Sequence, residues 1–247
     1  MIPPSSSKLN VTLVPVYRDN YAFIVRTNCG AVGVIDPGEA LPVVSALKNL
    51  KLDLDTIFIT HHHWDHTDGI AELKAHYPSC KVIAPDAEKH QILAVDTPLK
   101  DNDVFKFGSQ RVRVITTPGH TLGSVCYYFE DGKAVFTGDT LFSLSCGGLF
   151  EGTPKQMFTS FKKLKSLPDE TLVYCGHEYT RASAGFCLRI DPNNKDLKKR
   201  IAQVKTLRKK GLPTLPSTIG LEKKTNVFLR INSAKEYTAL RRRKMSF

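Results

Sequence analysis

Apolar residues come in short runs separated by turn residues over most of the first three-quarters of the chain. The runs at 11–16, 22–26 and 32–36 predict strands, and 42–50, with Val43, Leu47 and Leu50 on one face, predicts a helix. Residues 56–59 form a β-branched, apolar stretch that reads as a buried strand; 70–76 reads as a short helix and 81–84 as a strand. The pattern then repeats. Strands are expected near 112–116, 124–129 and 133–136, a helix over 154–167 whose Pro154 suits a first turn, and a strand over 171–174. Strands in both halves with helices between them predict an α/β architecture of two packed sheets flanked by helices. After His177 the character changes: 180–190 and 197–210 read as helices, Gly211-Leu212-Pro213 interrupts them, and a mixed tail follows. The expected division is one domain over 1–178 and a helical one over 179–247.

A hydrophobic content of 41% with 24% charge is ordinary for a soluble globular protein. No apolar run approaches the ~18–20 residues of a membrane span, so no membrane association is expected. The start, Met1-Ile2-Pro3-Pro4-Ser5-Ser6-Ser7, lacks the basic and apolar regions of a signal peptide and reads as a short flexible tail. Cys29, Cys80, Cys126, Cys146, Cys175 and Cys187 are scattered without a C-x-x-C pair. They are expected to be reduced and buried, which places the chain in a reducing compartment, most simply the cytosol. The net charge of +11 is concentrated late in the chain, from Lys195 to Lys210 and in Arg241-Arg242-Arg243-Lys244. Such a surplus suits an anionic partner, either a nucleic acid or an acidic small molecule, although the 195–210 run is read as a solvated helix face.

The chemistry concentrates in Thr60-His61-His62-His63-Trp64-Asp65-His66. Imidazole and carboxylate are the ligands that Zn²⁺ and similar divalent ions take. On extended chain His61 and His63 point the same way and His62 points away, while Asp65 and His66 turn toward a second position nearby. Thr60 is expected to brace a ligand imidazole, and Trp64 to pack as scaffold. Three further positions fit the same design: His120 in Thr117-Pro118-Gly119-His120-Thr121, Asp139 in Thr137-Gly138-Asp139-Thr140, and His177 in Cys175-Gly176-His177-Glu178. Each follows a short apolar strand and comes directly after a glycine, which relaxes the backbone for a sharp turn. Strand ends that all deliver metal-type ligands point to one metal centre.

These segments, in this order and spacing, resemble the metallo-β-lactamase superfamily, and within it the glyoxalase II (hydroxyacylglutathione hydrolase) family. The resemblance covers nearly the whole chain; its substrate side rests on Gly176-His177-Glu178-Tyr179-Thr180 and on Ala239-Leu240-Arg241-Arg242-Arg243-Lys244-Met245. It implies an αββα sandwich with a C-terminal helical, substrate-binding domain. It also implies two divalent metal ions, zinc foremost with iron or manganese possible: the first held by His61, His63 and His120, the second by Asp65, His66 and His177, with Asp139 bridging. The implied activity is hydrolysis of S-2-hydroxyacylglutathione, notably S-D-lactoylglutathione, in methylglyoxal detoxification. A metal-bridging hydroxide would be the nucleophile, with Asp65 and Asp139 as catalytic carboxylates. Tyr179, Arg241 and Lys244 would contact the thiol carrier, the two cations gripping a terminal carboxylate.

Three positions depart from the family pattern. Where family members carry a G-K-F-Y-E-G-like loop, this chain has Gly148 at the lysine position and Phe150 at the tyrosine position, so a charge and a hydroxyl are missing from the expected carrier pocket. A small residue often stands where this chain has Asp68. The expected protein is a cytoplasmic, monomeric enzyme acting on a small-molecule glutathione thioester, with no nucleic-acid partner. The alternatives are a thioesterase for another thiol carrier, a persulfide dioxygenase, a metal-dependent nuclease that uses the basic tail on phosphates, and a non-catalytic metal-stabilised module.

Overall fold

A computed structural model of the protein describes residues 9–246; the tail expected over 1–7 lies outside the described residues. The first sheet runs in chain order through β1 (Asn10–Val16), β2 (Asn20–Arg26), β3 (Val32–Ile35), β4 (Thr56–Phe58), β5 (Lys81–Pro85) and β6 (Thr97–Leu99). The first three strands pair antiparallel and the rest parallel. The parallel crossovers contain α1 (Ala40–Leu50), the single turn α2 (Trp64–Thr67) and α3 (Ile70–His76).

The second half gives β7 (Val104–Phe107), β8 (Gln110–Thr116), β9 (Val125–Phe129) and β10 (Ala134–Phe136). A small hairpin, β11 (Leu141–Phe142) and β12 (Ser145–Cys146), precedes α4 (Pro154–Lys165) and β13 (Leu172–Tyr174). The remaining elements are α5 (Thr180–Ile190), α6 (Lys195–Lys209), β14 (Ser217–Thr218), α7 (Ile219–Thr225) and α8 (Ala234–Met245). The second sheet has the order β14-β13-β10-β9-β8-β7.

Strand alternation explains the layers. Phe23 and Val25 of β2 face the second sheet, where Phe23 meets Phe136 at 5.4 Å between ring centroids and Phe58 meets Tyr127 at the same distance. Ala22 and Ile24, on the opposite face, pack with Val43, Val44 and Leu47 of α1. On the second sheet, Cys126, Val135 and Val173 face outward onto Met157, Phe161 and Leu164 of α4. The result is the expected αββα sandwich.

Residues after 178 cover that same outer face. Phe186, Ile219, Phe228 and Tyr237 join α4 in one apolar cluster, and β14 returns as an edge strand beside β13. The mixed tail therefore contains α7 and α8, each started by a side-chain cap: Thr218 accepts from Leu221 N–H and Ser233 from Glu236 N–H. The cysteines are free, but only five are buried; Cys29 is exposed, contrary to expectation, because it lies in the turn between β2 and β3. Among the described residues, no helix is long and apolar enough to cross a membrane.

Candidate metal centre

The strand ends converge. His61, His63 and His120 each offer a nitrogen within a 4.8 Å group, and Asp65, His66 and His177 form a second such group. Asp139 lies between them: its Oδ2 is 3.5 Å from His120 Nε2 and 3.2 Å from His177 Nε2, and its Oδ1 is 3.4 Å from His66 Nε2. The seven side chains expected to ligate thus come together.

Their orientation is set from behind. Thr60 Oγ1 donates to Asp36 Oδ2 at 2.7 Å, so it accepts from His61 Nδ1 at 3.0 Å, and His61 Nε2 is left facing inward. His66 Nδ1 donates to Asp36 Oδ2 at 3.1 Å, His177 Nδ1 to Asp19 Oδ1 at 2.9 Å, and His120 Nδ1 to the Gly148 carbonyl at 2.9 Å. Asn20 Nδ2 donates to Asp65 Oδ2 at 2.8 Å. Partners of this kind fix the ring tautomer and aim the free nitrogen at a metal. Two glycines are required by space. Gly138 adopts φ +45° and a Cβ there would fall 2.3 Å from Thr60 Oγ1; a Cβ on Gly176 would fall 2.5 Å from Asp139 Oδ1.

The residues fit divalent cations. His61 Nε2, His66 Nε2 and Asp139 Oδ1 are buried without a hydrogen-bond partner, and three such atoms of metal-ligating type gathered in one place are what a cation would satisfy. The mixed imidazole and carboxylate set suits zinc, iron or manganese. Charge agrees. Burial disfavours a charged His66, but Asp139, Asp36 and Asp65 outweigh it and raise its pKa to about 9. Burial likewise opposes an ionised Asp139, yet His66, His177 and His61 hold its carboxyl well below the usual range. Burial, helped by the neighbouring imidazoles, keeps His61 neutral.

The expected carrier residues lie on two flanks. Tyr179 stacks on His177, and its ring also meets Phe142 edge-on at 5.3 Å. On the other flank Phe150 is 74% exposed and meets His63 and His120 edge-on at 5.4 and 5.1 Å. Arg241 reaches this flank, its Nη2 lying 3.7 Å from the point a Gly148 Cβ would occupy. Lys244 is set back, bonded to Ser145 Oγ and 5.6 Å above the Phe228 ring. His62 turns away as expected, its Nε2 3.5 Å from Glu151. Trp64 does not pack as a scaffold: it is 62% exposed and touches Tyr17 edge-on at 5.1 Å. Sequence reasoning missed Asp36, Asp19, Asn20 and Glu88. Of these only Asp36 carries a signal, since it too ends an apolar strand.

The family model for the metallo-beta-lactamase superfamily matches residues 17–177, and the model for the hydroxyacylglutathione hydrolase C-terminus matches residues 178–246. The hydroxyacylglutathione hydrolase of Brucella anthropi is 52% identical over 217 residues, 87% of this chain and 83% of the relative. The BLEG-1 B3 metallo-beta-lactamase structure superposes with a TM-score of 0.69 at 23% identity, covering 89% of this chain and 99% of that one. TTHA1623 in a di-iron-bound form gives 0.62 at 27% identity, with 89% and 99% covered. On this sequence and this fold, the chain belongs to the hydroxyacylglutathione hydrolase family of the metallo-β-lactamase superfamily.

Proposed function

We propose that the chain is a binuclear metal thioesterase that hydrolyses S-2-hydroxyacylglutathione, S-D-lactoylglutathione foremost, to the hydroxy acid and glutathione. The observation that carries this reading is the meeting of two histidine-rich triads on either side of Asp139, in a chain 52% identical to a hydroxyacylglutathione hydrolase. His61, His63 and His120 would hold one cation and Asp65, His66 and His177 the other, with Asp139 shared; zinc is the first choice, iron or manganese the alternatives. Such cations supply Lewis acidity, polarising a carbonyl and lowering the pKa of water from about 15.7 toward ~7.

The chain's own residues supply the rest. Asp36, Asp19 and the Gly148 carbonyl hold the imidazoles so that the opposite nitrogens face the centre. Asp65, steadied by Asn20, would serve foremost as a ligand, and its carboxylate is also the nearby candidate to accept a proton from water. No dedicated acid is needed for the leaving group, because a thiol with a pKa near ~8.5 departs readily as thiolate. The 179–247 segment serves as the substrate-binding unit: Tyr179 lines the carrier beside His177, Arg241 and Lys244 attract its carboxylate, and Gly148 and Phe150 shape the loop between. The enzyme works as a cytosolic monomer, with no nucleic-acid partner.

A second reading is favoured by one observation: Gly148 and Phe150 leave the carrier loop without a cation or a hydroxyl, so another anionic thiol carrier competes with glutathione. Loss of thioester absorbance from S-D-lactoylglutathione, with purified and metal-analysed protein, tests both. Turnover supports the glutathione reading; inertness, together with turnover of another carrier's thioester, moves the assignment to the second.

A further inference from the structure

Glu88 is 2% exposed, in the 3₁₀ turn Asp86–Glu88 after β5. Its Oε2 accepts the His62 N–H at 2.6 Å. Its Oε1 accepts Thr121 Oγ1–H at 2.5 Å and Gly123 N–H at 2.9 Å. His62 Nδ1 lies 3.0 Å from Oε2 but is not aligned to bond it, so the carboxylate is occupied by these loop donors. One buried carboxylate thus ties the residue between His61 and His63 to the segment directly after His120. The fit is close, since a Cβ on Gly123 would fall 2.5 Å from Glu88 Cγ. Between the loops joined this way, His120 Nε2 and His63 Nδ1 approach to 3.0 Å. The other triad has its own supports, Asp19 on His177 and Asn20 on Asp65.

We propose that Glu88 is the positioning residue of the three-histidine half: it sets the gap between the 61–63 and 120–124 loops, and through it the hold on a cation there, without touching a ligand nitrogen. A glutamine could not replace it. The amide has one acceptor oxygen, so its NH₂ would face either the His62 N–H or the Thr121 and Gly123 donors, and one loop would be pushed off. The proposal rests on the reading of two cation positions and is independent of the substrate.

The test is stepwise cobalt(II) titration of metal-free protein against a chelator, followed by the visible spectrum. In Glu88→Gln one of the two constants is expected to weaken by roughly 10-fold, the lower end of what losing a ligand's own hydrogen-bond partner costs, because Glu88 acts through the loops, and the other to stay within about twofold. The same weakening is expected in a His177→Ala background, where the three-histidine half remains, and none in a His120→Ala background. Thr121→Val, which removes one donor and keeps the carboxylate, should give a smaller loss in the same half, and it decides the matter if Glu88→Gln does not fold. Equal weakening of both constants, or weakening in the His120→Ala background, overturns the proposal. A wild-type titration with one step fails the two-cation reading; two steps indifferent to both variants fail the brace alone.

Discussion

Tyr179 lies flat on His177, with ring planes 9° apart and centroids 4.7 Å apart. Burial, with Asp19 and Asp139 nearby, pushes the Tyr179 phenol up, so it stays a neutral hydroxyl. Tyr179→Phe keeps the stack and removes the hydroxyl proposed to meet the carrier, a hydrogen bond of about 0.5–1.5 kcal/mol net. It should raise the apparent KM for the thioester several-fold and leave kcat nearly unchanged. Tyr179→Ala also loses the stacked ring, about 0.5–1.5 kcal/mol more, and lets His177 tilt, so kcat should fall as well. Steady-state kinetics that fail to separate the two variants would show the stack to be idle.

His61→Ala and Asp139→Ala should each reduce turnover by on the order of 10³-fold or more, since the first removes an imidazole of one triad and the second the carboxylate between the two. Metal analysis beside circular dichroism checks this: folded protein with depleted metal is expected. Near-wild-type activity in either variant would mean that the site is misassigned.

Arg241→Ala tests the carboxylate grip. A charge-assisted hydrogen bond contributes about 1.5–3 kcal/mol, so kcat/KM should fall by ~10–100-fold, mostly through KM. Because Arg241 Nη2 stands 3.7 Å from a Gly148 Cβ position, Gly148→Lys should recover part of that loss if the carrier is glutathione. An unchanged KM in Arg241→Ala would remove α8 from the carrier site.

Metal uptake should release protons. With its pKa raised to about 9, chiefly by Asp139 once burial is overcome, His66 is protonated at neutral pH in the metal-free protein, and a ligand imidazole must be neutral. Calorimetry in buffers of different ionisation enthalpy should detect the release, and apparent affinity should climb as pH rises toward 9. Metal-free stability runs the other way. A histidine with a raised folded pKa stabilises fully below its ordinary value near 6.5, and that contribution is lost as pH rises through about 9. The melting temperature of the metal-free protein should therefore drop over this interval.

Gly176→Ala should cost metal before it costs the fold. Its Cβ would press on Asp139 Oδ1 at 2.5 Å and His66 Cε1 at 2.7 Å. Lower metal stoichiometry at a little-changed melting temperature is expected, read by elemental analysis and calorimetry.

The side chains that converge were legible because each is announced locally. Apolar strands precede His61, His120, Asp139 and His177, and a glycine stands directly before the last three. The helices Ile70–His76 and Thr180–Ile190 were legible to the residue, since polar or turn residues bound their apolar positions. β6 and β7 were not: they are short and half-exposed, so alternation is diluted. α8 hid behind its charge, with Tyr237 buried on an otherwise arginine-rich helix, although Ser233 followed three residues later by Glu236 marked its start. Apart from the strand-end position of Asp36, the braces were illegible for a topological reason. Asp36 bonds Thr60 across 24 residues and Asp19 bonds His177 across 158. No local pattern records such pairs: the first forms where the parallel neighbours β3 and β4 end side by side, the second only where the two sheets close on each other.

The solvent-open indole of Trp64, the chain's only tryptophan, makes the protein its own optical gauge. All of its indole emission arises one residue from His63 and Asp65, so metal loading or substrate arrival can be followed by fluorescence in a stopped-flow mixer on unlabelled, unmutated protein.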